Sequence, residues 1–506
     1  DVYKRQVNLR AMLFILPFFL FSALFGQFAD KYEKSVQIRN IKLFEVVIMS
    51  LATLGFWLDS VILLLFVLFL LGLQSTIFGP IKYGILPQIL GEDELVGGNA
   101  LVEMGTFVAI LAGTIAGPQL AGIDVGWPYW VSAACLAVAA AGYVFSLRIP
   151  KCAPAAPDLE INWNIFSETV RNLKFLNENR VVLNSVLGIS WFWFFGATFL
   201  VQIPSYSQNV LGGDKNLMSA LLGLFIIGIS TGSLLCERLS GKRVEIGLVP
   251  LGAIGLTLFG LDLYFASPAL PTPGITAIEF LSSGQNWRII IDLLLIGIFG
   301  GFYIVPLYAL VQSRSEPKHR SRVIAGLNIL NSLFMVIAAV MAMLILGPVG
   351  LDIPDLFLIS AILNAVVAIY IFTLVPEFLM RFLVWILIHT IYRVRVTGMD
   401  NIPDDGPVIV ASNHVSYVDS LIIGGMIRRP VNFVMYYKIY RIPLLKFIFK
   451  VGKAIPIASK KEDPLILEEA YRSMHRVLDE GDVLGIFPEG RITGDGEIQE
   501  FKPGID

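Results

Sequence analysis

The sequence predicts an α-helical membrane bundle of many spans followed by a separate α/β domain. Three observations carry this. Hydrophobic residues make up 56% of the 506-residue chain and charged ones 15%, whereas soluble proteins average about 25% charged. Apolar stretches long enough to cross a bilayer recur from residue 11 to about residue 378. Beyond that the apolar runs shorten to strand length and alternate with helix-length segments. The net charge of −2 says little about partners, and nothing calls for nucleic acid. Cys135, Cys152 and Cys236 lie far apart, so neither a metal cluster nor a structural disulfide is expected. The chain opens on Asp1 and stops at Asp506 inside what reads as a domain, so it reads as a fragment, with no cleavable signal peptide.

A spanning helix needs roughly 20 mostly apolar residues, because the hydrocarbon core is about 30 Å thick. Eleven stretches qualify: 11–27, 41–58, 60–79, 101–123, 128–148, 181–204, 216–236, 245–266, 288–312, 323–347 and 355–376. Backbone amides in lipid must bond internally, so each is a helix. Lys and Arg fall on alternate loops. One set holds Lys31, Lys34, Arg39 and Lys42, then Lys82, then Arg148, Lys151, Arg171, Lys174 and Arg180. It continues with Arg238, Lys242 and Arg243, then Arg314, Lys318, Arg320 and Arg322. The other set holds Lys215 and, at a helix edge, Arg288. The positive-inside rule assigns the basic set to the cytoplasm, and Trp57, Trp127, Trp130 and Trp287 mark the opposite interface. The segment after the last span then emerges in the cytoplasm.

The spans repeat. Gly26-Gln27-Phe28-Ala29-Asp30-Lys31, with Lys34 after it, is echoed by Gly232-Ser233-Leu234-Leu235-Cys236-Glu237-Arg238 and Gly241-Lys242-Arg243. Pro80…Tyr83…Gln88…Asn99 is echoed by Pro306…Tyr308…Gln312…Asn328. The loop 149–180 separates the halves. Two related halves around a central loop are a transporter pattern. A small residue lets helices approach closely. A carboxylate at a helix end pairs with a cation or a helix N-terminus and holds one conformation closed. On Gly26, Asp30 and Lys34, and on Gly113…Gly117-Pro118, the chain resembles the major facilitator superfamily. The resemblance covers about residues 1–378. It implies twelve helices with the first missing here, and conformational roles for Gly26, Asp30, Lys34, Gly232 and Arg238. Cys236 stands where the first-half motif has Asp30.

Polar residues in spans are candidates for substrate or coupling contacts, or else cap helices and reach the interface. The ionisable ones are Glu45, Glu103 and Asp292, with Gln88, Asn99, Gln312, Asn328 and Asn331 at span ends. The scarcity of buried charge fits an amphipathic, lipid-like cargo. Residues 379–396 are apolar but punctuated by Arg381, His389, Arg393 and Arg395, which reads as an interfacial helix on the inner leaflet.

Residues 397–506 read as α/β. Val408–Ala411 is a strand running into Asn413 and His414, a helix begins at Leu421, and Ile455–Ile457 ends another strand. Residues 463–480 form a helix with Asp463 as N-cap and Pro464 at the first position. Val483–Phe487 is a strand that delivers Glu489. The basic, apolar stretch 436–450 is either a lipid-seeking segment or an ordinary amphipathic helix.

Transfer to an alcohol needs a base, and a free imidazole has a pKa of about 6.5. His414 supplies it, and Asp419, one turn into the next helix, accepts the other ring N–H and fixes the tautomer. No Ser or Cys stands as a covalent nucleophile, so direct attack of the acceptor hydroxyl on a thioester is expected. Arg491 offers a planar fork for phosphate and Lys502 a point charge. Glu489 either orders its turn or binds the acceptor's polar head.

Asn413-His414…Asp419, Phe487-Pro488-Glu489-Gly490-Arg491 and Phe501-Lys502-Pro503-Gly504 resemble the glycerolipid acyltransferase family. The variant Phe487-Pro488-Glu489-Gly490-Arg491-Ile492-Thr493 looks most like bacterial 2-acylglycerophosphoethanolamine acyltransferases. The resemblance implies that His414 is the base, Asp419 its partner, and that Asn413, Glu489, Gly490, Arg491 and Lys502 bind substrate. It also implies a lysophospholipid acceptor in the phospholipid membrane and an acyl donor carried by acyl carrier protein or coenzyme A, with no bound cofactor or metal. Together the two resemblances imply a lysophospholipid transporter of the bacterial inner membrane with a cytoplasmic acyltransferase. Acylation of lysophosphatidic acid beside an unrelated transport activity, and a lipid-sensing tail without turnover, are the alternatives.

Overall fold

The computed structural model describes all residues except 1, 92, 124–125, 240–247, 375–383, 385–386, 389, 393, 404–405, 428 and 502–506, and only the backbone of 2–11, 371–374, 400 and 444. Lys242, Arg243, Arg381, His389, Arg393 and Lys502 therefore lie outside the described residues or side chains. The chain divides into two compact units, 1–369 and 370–506. Composition put the boundary at 378, a position outside the described residues.

In the first unit α1 (Val2–Lys31), α2 (Lys34–Trp57), α3 (Val61–Ile89), α4 (Leu95–Ala121) and α5 (Trp127–Ser146) form one half. The other half holds α7 (Arg180–Ser205), α8 (Lys215–Leu239), α9 (Leu248–Ala266), α11 (Trp287–Arg314), α12 (Arg320–Leu346) and α13 (Ile353–Leu374). Eleven helices among the described residues are long and apolar enough to cross a membrane. The chain is a multi-pass membrane protein.

Between the halves the sequence suggested only a loop, yet α6 (Ile165–Glu178) forms there. It is too short and too polar to span. Asn164 caps it, its side chain accepting from Ser167 N at 3.1 Å. A short α10 (Ala277–Ser282) is closed by a capping box of Thr276 and Glu279.

Each half packs on itself first: α1 on α3 and α2 on α5, α11 on α8 and α9, and α12 on α7. The halves then meet through α1 against α12 and α4 against α8. The end of the bundle bearing the Lys- and Arg-rich segments, here the basic end, holds the tight polar contacts between halves. Toward the opposite end α4 is exposed on nearly every face beyond Phe107. Nothing lies within 4 Å of where a side chain would sit on Gly113 or Gly117, so the Gly-Pro motif packs on no neighbour here.

The second unit is built on a four-stranded parallel sheet. Its strands are β1 (Val408–Ala411), β2 (Val431–Tyr436), β3 (Ile455–Ile457) and β4 (Val483–Ile486), in the order β1-β4-β2-β3. Its helices are α14 (Asp419–Met426), α15 (Tyr437–Tyr440), α16 (Pro443–Val451) and α17 (Pro464–Asp479). Asp463 caps α17 through Leu465 N and Ile466 N, at 3.1 and 3.2 Å. Buried Ile455, Ala470 and Leu484 join α17 to the sheet. Within the segment read as an interfacial helix, Val384 and Ile388 pack against Gly425 of α14.

Candidate functional site

Parallel pairing aligns Ala411 of β1 with Ile486 of β4. The two chains therefore leave the sheet side by side at their C-terminal ends, where open α/β sheets gather functional groups. Ser412 N extends the ladder to Ile486 O at 3.2 Å. The next residues are Asn413 and His414 on one side and Phe487 to Glu489 on the other. The His414 ring stacks on Phe487, with centroids 4.1 Å apart and 17° between planes. Phe433 of β2 stacks beyond Phe487 at 5.8 Å.

Asp419 Oδ2 lies 3.0 Å from His414 Nδ1 and accepts from Val415 N at 2.7 Å and Ser416 N at 2.8 Å. Asp419 opens α14 instead of sitting a turn inside it. The reason is visible in those bonds: its carboxylate folds back to close the loop that carries His414. With Nδ1–H given to Asp419, the Nε2 lone pair is the basic atom of the ring. Glu489 is buried, and its Oε1 accepts from His414 N at 3.2 Å. Its Oε2 has no hydrogen-bond partner among the described residues. Thr493 N donates to His414 O at 2.9 Å, so the chain after Gly490 is tied to the same loop.

Gly490 takes φ +64°, a region that favours glycine. Asn413 and Arg491 are exposed, and Arg491 Nη2 donates to Gln499 Oε1 at 3.0 Å. Thr493 Oγ1 at 2.6 Å and Glu497 N at 3.2 Å both donate to Asp495, and they hold its carboxyl below the usual carboxylate range. On α16 the exposed face carries Pro443, Lys446, Phe447 and Lys450.

The transporter-motif residues converge at the basic end. Asp30, fully buried at the end of α1, accepts from Ser321 N at 3.0 Å and Arg322 N at 3.3 Å, the first turn of α12. Arg322 Nε adds a third donor at 3.2 Å. A side chain on Gly26 would come within 2.7 Å of Ala325, so only glycine lets α1 approach α12 this closely. Lys34 is buried at the start of α2, within charge range of Asp30.

In the other half Gly232 lies against the backbone of Ile298 in α11. Cys236 is buried and Arg238 exposed. The residue missed by motif alignment is Glu237. Its carboxyl carbon sits 2.7 Å from where a side chain on Gly97 would begin, in the first turn of α4. The second-half carboxylate is thus present, one position later than the repeat implies.

A polar layer lies just inside these contacts. Asn99 and Gln312 exchange two amide hydrogen bonds, at 2.6 and 3.0 Å. Tyr83 donates to Glu103 Oε1 at 2.6 Å and stacks on Tyr308, to which Trp193 Nε1 donates at 3.3 Å. Ser190 donates to Asn331 at 2.8 Å. Gln88 turns to Ala153 O instead, and the amide nitrogen of Asn328 has no partner among the described residues. Glu45 pairs with Lys42 at 2.7 Å, while Asp292 is buried in α11.

The sequence model of the Major Facilitator Superfamily matches residues 2–286, and that of the Acyltransferase family matches 393–505. The lysophospholipid transporter LplT of Escherichia fergusonii is 30% identical over 316 residues, covering 60% of this chain and 70% of that protein. Its namesake in Klebsiella pneumoniae is 30% identical over 317 residues with the same coverage. Among solved structures, the human organic anion transporter MFSD10 superposes with a TM-score of 0.58 at 13% identity, over 72% of this chain and 82% of that one. The proton:xylose symporter XylE gives 0.55 at 12% identity, over 73% and 85%. These two likenesses speak to the fold. With its two packed halves, its matched spans and its second unit built on a parallel sheet, the chain belongs to the major facilitator superfamily and carries a C-terminal acyltransferase domain.

Proposed function

We propose that the chain carries a lysophospholipid, of the 2-acylglycerophosphoethanolamine type, across the bacterial inner membrane and reacylates it on the cytoplasmic side. The observation that carries this reading is the pairing of His414 Nδ1 with Asp419 at 3.0 Å, on the same polypeptide as spans related to lysophospholipid transporters. Nε2 of His414 takes the proton of the free glycerol hydroxyl as that oxygen attacks the acyl thioester carbonyl. The tetrahedral adduct collapses, the C–S bond breaks, and the thiolate leaves with the proton returned by the imidazolium. Asp419 stabilises that imidazolium. Arg491 and Lys502 bind the acceptor's phosphate, and Glu489 Oε2, without a partner among the described residues, takes a polar group of its head. Acyl carrier protein is the expected donor carrier, coenzyme A the other.

Tethering supports the coupling, since an acceptor delivered by the same chain meets the site at high effective concentration. Exposed Phe447 between Lys446 and Lys450 suits an approach to lipid. The test uses the full chain in proteoliposomes, with lysophosphatidylethanolamine and lysophosphatidic acid as competing acceptors. Preference for the first, with His414→Ala lowering acylation by about 10²–10⁴-fold but sparing transport, is expected. Preference for lysophosphatidic acid, or loss of both activities together, overturns the reading.

A further inference from the structure

Helix α6 is folded inside out. Its protein-facing side buries Glu168, Asn172 and Leu176, while its outer side exposes Phe166 by 81%, Val170 by 53% and Leu173 by 37%. Trp163, just ahead of the helix, is 70% exposed. A helix facing water presents the reverse order. The inner face is a built contact. Asn172 O and the Leu176 side chain lie 3.5 and 3.3 Å from where a side chain on Gly326 of α12 would begin. Asn162 Nδ2 donates to Glu168 Oε2 at 3.3 Å, and Gln27 exchanges two hydrogen bonds with the Asn162 backbone. The exposed side chains therefore have no route inward.

The surroundings point to lipid. Only Asn179 separates α6 from α7, a membrane span, so α6 lies at the depth where that span begins. Trp163 packs edge-on against Phe28 at 5.9 Å, and Phe28 against half-exposed Tyr32 at 5.8 Å. Such aromatic groups mark membrane–water boundaries. Arg171, Lys174 and Arg180 border the stripe and are exposed. Cations flanking an apolar face suit an anionic phospholipid surface.

We propose that the outer face of α6 is a docking surface for the adjoining phospholipid leaflet. Trp163, Phe166, Val170 and Leu173 sit among the acyl chains beneath the headgroups, and Arg171 and Lys174 sit against the phosphates. This assignment stands apart from the identity of the cargo and from acyl transfer.

The test places the photo-crosslinking residue p-benzoylphenylalanine singly at 166, 170, 173, 167 and 178 of the full chain. The protein is held in nanodiscs of phosphatidylethanolamine and phosphatidylglycerol, and adducts are read by mass spectrometry. Lipid adducts several-fold more abundant at 166, 170 and 173 than at 167 and 178 are expected. Adducts to protein from the acyltransferase domain or a second copy would show another occupant and overturn the proposal. So would equal yields at all five positions, or none. A Phe166→Glu, Val170→Glu variant, probed at 173, is expected to lose its lipid adducts while the chain stays membrane-integrated. Retention of those adducts also overturns the assignment.

Discussion

Tyr83 and Tyr308 stack almost in parallel, with ring centroids 4.4 Å apart and 6° between their planes, and they occupy echoing positions in the two halves. The internal repeat thus folds so that one of its own elements meets its copy. The contact joins α3 to α11 and lies beside the Asn99–Gln312 amide pair. A stacked aromatic pair contributes about 0.5–1.5 kcal/mol beyond its buried area. Tyr83→Leu removes the stack and the donor to Glu103, so the basic end should open more often. Electron-spin distance measurements between labels on the two halves in nanodiscs should show a longer-distance population growing. Tyr83→Phe, which keeps the stack, should shift it less.

Asp30 and Glu237 offer a direct comparison of two helix-end carboxylates. Asp30 has three donors at 3.0 to 3.3 Å, including the Arg322 guanidinium. Hydrogen bonds to charged groups are worth about 1.5–3 kcal/mol each. Asp30→Asn, which weakens those bonds, should therefore slow transport of labelled lysophospholipid into proteoliposomes, and Glu237→Gln, which removes the charge beside the first turn of α4, should slow it as well. Cys236→Asp, which restores the motif letter, should not rescue Glu237→Gln, because Cys236 points into packed protein. Rescue would show that the alignment, and not the geometry, locates the charge.

Phe487 holds the face of the His414 ring without touching the proton to be moved. Phe487→Leu should lower kcat for acylation with little change in the KM for the acceptor, and a Phe487→Tyr variant should recover most of the rate. His414→Ala should cost about 10²–10⁴-fold, the usual contribution of a general base. Steady-state assays of the full chain in detergent micelles with a thioester donor separate these effects.

The turn after Gly490 carries an acid-sensitive tie. The Asp495 carboxyl is held below its ordinary range by Thr493 and Glu497. A carboxyl with a depressed folded pKa stabilises its surroundings above the ordinary value, about 3.9, and loses that contribution as pH falls through the lowered one. Hydrogen exchange at the Glu497 amide, corrected for intrinsic rate, should lose protection across that interval. Asp495→Asn should show weak protection at all pH values.

Much of this was legible because lipid imposes simple rules. Span lengths, the alternation of Lys and Arg, and Asp463-Pro464 at the start of α17 all follow from local chemistry. The His414…Asp419 spacing and the Phe487-to-Arg491 block were also readable, because each is a short local signal. The remaining features depend on tertiary partners. Strand β2 is short, and its pairing with both β4 and β3 cannot be read from six residues alone. The repeat makes Gln88 and Asn328 the counterparts of the Asn99–Gln312 pair, yet Gln88 bonds to Ala153 O and the Asn328 amide nitrogen has no partner among the described residues. Helix α6 escaped notice because its polarity is reversed. Glu237 escaped because a one-residue offset moves a side chain about 100° around a helix.

Phe175 of α6 covers the Arg322 guanidinium at 4.9 Å and stacks on His319 at 4.5 Å. Arg322 is the residue that Asp30 grips. One aromatic ring thus ties the helix between the two halves to the arginine that joins α12 to α1, so a displacement of α6 would reach the contact on which the halves close.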